Sequence, residues 1–226
     1  MSRQHGETTT MKTLYIFLTR SGTLLSNLVY SLTGAQYTHI SLAFDEDLST
    51  LYSSTRKNGY TMFPAGPSRE YLNRGVFLMR ENIPCALYAL EVTDEAYTRA
   101  KRRTQHMMHH GELYRFNSLG LLLCWMHIRW QRRRHYFCSQ FVSEVLQKSG
   151  ALELPKPSTL MHPSDYAELP ELRCLYRGTL AGCPSARAWS WRGGERHGPL
   201  PERPSGGCEG QSASAVLIFS KFLPKN

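Results

Sequence analysis

The sequence predicts an α+β domain in which an antiparallel sheet packs against helices. Stretches that alternate like strands lie mostly before residue 93, and stretches with helical periodicity lie mostly after it. Two of the strand stretches are also joined by the turn Asp45-Glu46-Asp47, which makes them antiparallel neighbours. At 226 residues with 41% hydrophobic content, the chain can bury one domain's core.

Taken in order, the polar "MSRQHGETTT" opens a loose N-terminus, residues 1–11. "TLYIFLT" reads as a first strand. Its apolar core is too short for a signal peptide, and Arg20 follows without a cleavage site. "GTLLSNLVYSLTG" reads as a short amphipathic helix stopped by Gly34. "QYTHISLAF" and "TLYSSTR" are the two hairpin strands, and "GVFLMRE" and "ALYALEVT" read as two more. "TDEAYTRAKRRTQHMMHH" has a Thr93 cap and acids in its first turn, as the helix dipole favours. "NSLGLLLCWMHIRWQ" reads as a mostly apolar, largely buried helix with Trp125 in the core. In "FCSQFVSEVLQKSG", Phe141, Val142, Val145 and Leu146 recur at helical spacing before Gly150, and Cys138 falls in the first turn on the same inward face. "HPSDYAEL" reads as a Ser-capped helical turn and "LRCLYRGTL" as a last strand. From there the chain turns Gly-, Pro- and Arg-rich without a period. The domain is therefore expected over 12–180, with a mobile tail over 181–226.

No apolar run reaches the roughly 20 residues that cross a bilayer, so a cytoplasmic protein is expected. The six cysteines form no CxxC pair and no even spacing, which argues for free thiols rather than a disulfide framework or a zinc site. "HMMHHGE" offers His106, His109, His110 and Glu112 at helical spacing but no distant further ligand. It reads as a polar helix end, and no metal or other cofactor is expected. The net charge of +9 is uneven: residues 1–100 carry nine basic and nine acidic side chains, whereas 101–134 carry eight basic side chains against Glu112 alone. That segment reads either as a solvated helix face or as a surface for an anionic membrane, with Trp125 and Trp130 as candidate interface anchors. Nucleic acid is the less favoured partner. Oligomeric state is not legible.

A nucleophilic cysteine needs a base to make its thiolate and donors to hold the oxyanion that follows. A helix start supplies unpaired N–H groups and a dipole contribution of about 0.3–1 kcal/mol, less than one pKa unit, so a histidine is still required. In "YTHISLAF" alternation puts Tyr37, His39, Ser41 and Ala43 on one strand face, whose small residues would let the helix approach. The return strand would bring Tyr52, Ser53 or Ser54 to the far side of the imidazole to fix its tautomer.

The run "THISLAFD", the polar "LYSS" on the next strand and the distant "YFCSQFVSEVL" together resemble the permuted branch of the NlpC/P60 superfamily of papain-like cysteine hydrolases. That branch includes YiiX-like bacterial proteins and lecithin-retinol-acyltransferase-like enzymes. The resemblance covers roughly residues 12–180 and implies a papain-like fold, with Cys138 as nucleophile and His39 as general base. Its third, orienting position, often Glu, His, Asn or Gln in relatives, falls at or near Ser53. A serine there accepts the imidazole N–H but does not stabilise an imidazolium as a carboxylate does. The resemblance further implies the Cys138 N–H and a side chain such as Tyr37 as oxyanion donors, with Tyr52 and Ser54 as orienting candidates. Arg134, Tyr136 and Ser139 flank the thiol as candidates for substrate binding. The expected function is amide or ester hydrolysis, or acyl transfer, through an acyl-enzyme on a small and, from the basic flank, anionic substrate. The competing readings are an impaired papain-like binding module, which Ser53 would explain, and a basic surface for anionic lipid or nucleic acid.

Overall fold

The computed structural model describes residues 10–20, 34–56, 65–74, 77 and 82–185. The expected helix before Gly34, the strand "GVFLMRE" apart from Phe77, and nearly all of the tail lie outside them. The described chain is an α+β structure built on one six-stranded sheet. Its strands are β1 (Met11–Thr19), β2 (His39–Ala43), β3 (Leu51–Arg56), β4 (Ala65–Glu70), β5 (Pro84–Thr93) and β8 (Arg173–Thr179), in the order β4-β3-β2-β1-β5-β8 with every pair antiparallel. The remaining strands, β6 (Arg115–Phe116) and β7 (His135–Tyr136), form a short parallel pair.

Alternation makes both sheet faces apolar. Leu14, Ile16, Leu18, Ile40, Leu42, Tyr88 and Leu90 join the helices in one cluster; Phe17, Ala43, Leu51, Cys85 and Leu87 form a second. The first is covered by α1 (Asp94–His109) and α3 (Cys138–Ser149), which are tied together by the Arg103–Glu144 ion pair and by Arg99 Nε donating to the Ser149 carbonyl at 2.8 Å. Helix α1 starts as its sequence predicts, with Thr93 Oγ1 accepting from the Ala96 N–H at 3.2 Å. Helix α3 ends at Gly150 in the left-handed conformation, φ 71°.

Three expectations are corrected. The segment after Asn117 is helical only over α2 (Ser118–Trp125), and it is not largely buried: Leu119, Leu122 and Trp125 are exposed. Residues 163–168 form a 3₁₀ turn that Ser164 does not cap; Asp165 Oδ2 accepts the His162 N–H at 2.5 Å, while the Ser164 hydroxyl meets the backbone of Tyr37. Strand β4 was not anticipated, because "AGPSRE" has no apolar alternation. Among the described cysteines, Cys174 is in a disulfide and Cys85, Cys124, Cys138 and Cys183 are not, so the free-thiol expectation fails at Cys174. No helix among the described residues is long and apolar enough to cross a membrane.

Candidate active site

Cys138 is the first residue of α3, and the preceding Phe137 is extended and offers no side-chain cap. The N–H groups of the first turn are therefore not claimed by a capping side chain, and they sit at the positive end of the helix dipole. Ser54 Oγ, on β3, donates to the Tyr136 carbonyl at 2.7 Å, and Ser139 Oγ donates to the Met161 carbonyl at 2.6 Å. These bonds clamp the chain on either side of the thiol. Cys138 keeps 8% of its surface exposed.

His39 opens β2, and its ring lies beside the Cys138 side chain, which raises its pKa. Its Nε2 lies 3.0 Å from each carboxylate oxygen of Glu70, the last residue of β4. With Nε2 engaged there, Nδ1 is the nitrogen left for the thiol. Ser41 Oγ donates to Glu70 Oε2 at 2.6 Å, which fixes the carboxylate in turn. Burial alone would lower the pKa of His39. The Glu70 carboxylate, which accepts from the ring, and the neighbouring Cys138 outweigh it and hold the ring well above 6.5. Burial would likewise raise Glu70, but the charge of His39 and the bonds from His39 and Ser41 hold it below the ordinary carboxylate value. The two directions agree: the Glu70 carboxylate makes His39 a stronger base, and that base adjoins a thiol.

The expected residues divide accordingly. Cys138 and His39 come together. Ser53 does not orient the imidazole; its hydroxyl donates to the Ile40 carbonyl at 2.8 Å, and Glu70 occupies the orienting position. Because β3 lies between β2 and β4, the Glu70 side chain must cross it. Ser53 pairs with Ser68 and so stands on the face that Glu70 uses, where a small side chain leaves the crossing open. Tyr52 packs edge-on against Phe44 at 5.6 Å, away from the orienting role, and Ser54 serves the clamp just described. Tyr37 is buried. Burial pushes its hydroxyl up to about 12, with the Arg177 guanidinium opposing. Tyr136 and Ser139 are buried and Ser139 is committed to Met161, so neither presents a substrate-binding group; Arg134 is exposed. The expected approach through Ser41 and Ala43 is also corrected. Ile40 and Leu42 share the cluster of Phe141 and Val142, Ala43 belongs to the second cluster, and Ser41 is small because it serves Glu70.

Sequence reasoning missed Glu70, although it is the one acidic residue between Asp47 and Glu81. His106, His109 and His110 crowd the end of α1 with ring centroids 4.6 and 4.8 Å apart, and among the described residues no group of three or more His, Cys, Asp or Glu is arranged to hold a metal ion. Comparison of the chain with protein-family models, with curated proteins and with solved structures finds no match in any of the three.

Proposed function

We propose that the protein is a cysteine hydrolase or acyltransferase of papain-like type, as its likeness to the permuted NlpC/P60 branch suggests. The observation that carries this reading is His39 held through Nε2 by both oxygens of Glu70 while its ring meets the Cys138 thiol. The Cys138 proton passes to Nδ1, giving a thiolate beside an imidazolium that Glu70 stabilises. The thiolate attacks the carbonyl carbon of an amide or ester, and first-turn N–H groups of α3 receive the oxyanion. His39 then returns the proton to the leaving nitrogen or oxygen, the carbonyl re-forms, and an acyl-thioester remains on Cys138. Water or an acceptor hydroxyl or amine gives its proton to His39 and displaces the thiolate.

The rival reading as an impaired binding module rested on a serine in the orienting position. A carboxylate in contact with His39 supports the catalytic reading over it.

Because Cys138 is only 8% exposed, the test uses a small electrophile. Incubation with 4-nitrophenyl acetate should add one acetyl group to the parent, located at residue 138 by peptide mass spectrometry. Cys138→Ala should remove the adduct with an unchanged circular dichroism spectrum. Equal acetylation of variant and parent overturns the reading.

A further inference from the structure

Seven large hydrophobic side chains stay exposed among the described residues, and six of them fall within one stretch: Leu113, Leu119, Leu122, Trp125, Met126 and Ile128, each 37–52% exposed. Leu119, Leu122 and Trp125 lie on α2, whose residues after Ser118 are apolar all round. Gly120 and Cys124, one turn apart, take its buried side, and Gly120 fits there because any Cβ would meet the side chain of Asn117 at 2.1 Å. Leu119, Leu122 and Met126 recur at i, i+3 and i+7 and therefore share the outward face. An apolar helix in a globular domain normally buries that face.

The same stretch is strongly basic. Residues 113–134 contain five arginines and no acid, and Arg129, Arg132, Arg133 and Arg134 are exposed. The surface is also anchored. β6 and β7 close its two ends, and Asn117, which accepts from the Gly120 N–H at 3.0 Å, donates to Gln140 Oε1 at 3.1 Å. Gln140 is two residues past the nucleophile.

We infer that α2 and the arginine-bearing loop after it form a docking surface for an anionic lipid bilayer, holding the Cys138 site at the membrane face. An exposed apolar helix face with tryptophan and a rim of arginines matches an interfacial anchor: the apolar side chains enter the acyl boundary and the guanidinium groups stay with the head groups. At eight residues α2 is far too short to span, so it lies on the surface. Charge chooses the occupant. A second copy would bring five arginines against five, and residues 186–226 of this chain are themselves net basic, with six Lys/Arg against three Glu. Nucleic acid would use the arginines but leave the leucines in water.

The test is co-sedimentation of the full chain with phosphatidylcholine vesicles, with and without about one-third phosphatidylglycerol. Binding should require the anionic lipid. It should weaken roughly 25-fold in the Arg132→Gln/Arg133→Gln variant, at about 5-fold per arginine. A comparable loss, roughly 5-fold per residue, is expected for Leu119→Gln and Leu122→Gln. Cys138→Ser should bind like the parent, so failure of the hydrolase reading leaves this result intact. Equal binding to neutral vesicles, unchanged binding of the leucine variants, or a dimer in ultracentrifugation that those variants dissolve would each overturn the proposal. So would vesicle-free capture of an oligonucleotide that is indifferent to the leucine changes.

Discussion

Glu70→Gln separates the charge of the candidate site from its shape. Glutamine keeps the length and an acceptor for the His39 N–H, so what the change removes is the negative charge. Both Glu70 oxygens stand 3.0 Å from His39 Nε2, which places the charge centres about 4 Å apart. The two side chains are 13% and 14% exposed, so solvent screens them little, and at an effective dielectric of about 20 the attraction is worth about 4 kcal/mol. At 1.36 kcal/mol per decade, that is about 10³ in the balance between the imidazolium–thiolate pair and the neutral pair. The assay is the second-order rate of Cys138 alkylation by iodoacetamide from about pH 5 to 9, read by intact mass. In the variant the rate should fall by about 10²–10³ relative to the parent at the acidic end of that range. Ser53→Ala is the control: it removes one hydrogen bond to Ile40, costs about 1 kcal/mol of stability and leaves the profile in place. Superimposable profiles for Glu70→Gln and the parent would refute the assignment, and a shift on Ser53→Ala instead would return the orienting role to the serine.

The His39–Glu70 pair also predicts how stability follows pH. Because His39 is raised in the fold, its contribution is complete below about 6.5 and is lost as pH climbs through the raised value; because Glu70 is lowered, its contribution is complete above about 4.5 and is lost as pH falls through the lowered value. The denaturation free energy of the parent relative to Glu70→Gln should therefore peak between about pH 4.5 and 6.5, and a difference that grows steadily to pH 9 would contradict the pairing. Gly150→Ala should cost about 1–2 kcal/mol in urea unfolding, because φ 71° puts a Cβ in the left-handed region, where Arg99 Nη2 would also stand 3.4 Å away. An unchanged midpoint would show that the helix end relaxes without its cap.

The parts of the site that were legible sit on elements with a strong period. Cys138 is announced by the spacing of Phe141, Val142, Val145 and Leu146, and His39 by the alternation of its strand. Glu70 was hidden because β4 is a strand by pairing rather than by composition: Gly66 and Pro67 are its second and third residues, and six residue pairs with β3 hold it in place. The strand next to His39 offers only Ser53 and its neighbours. The carboxylate comes instead from one strand further out and reaches across β3 over a serine, a relation of three strands that no single-strand pattern contains. Had the expectation of a carboxylate at the orienting position been pressed, the run from Leu48 to Arg80 would have returned Glu70 alone.

Helix α2 was misjudged for the opposite reason. Its composition was read correctly and its environment was not, because a continuous apolar period records that a helix has no polar face without saying what meets the apolar one. The cue was in the flanks. A segment destined for the core is not commonly followed within ten residues by four arginines with no acid among them, since each arginine must keep its charge hydrated and so holds its neighbours near the surface. Apolar helix and arginine loop are thus one feature rather than two. The arginines keep the leucines out of the core, and the leucines limit which anionic partner can use the arginines.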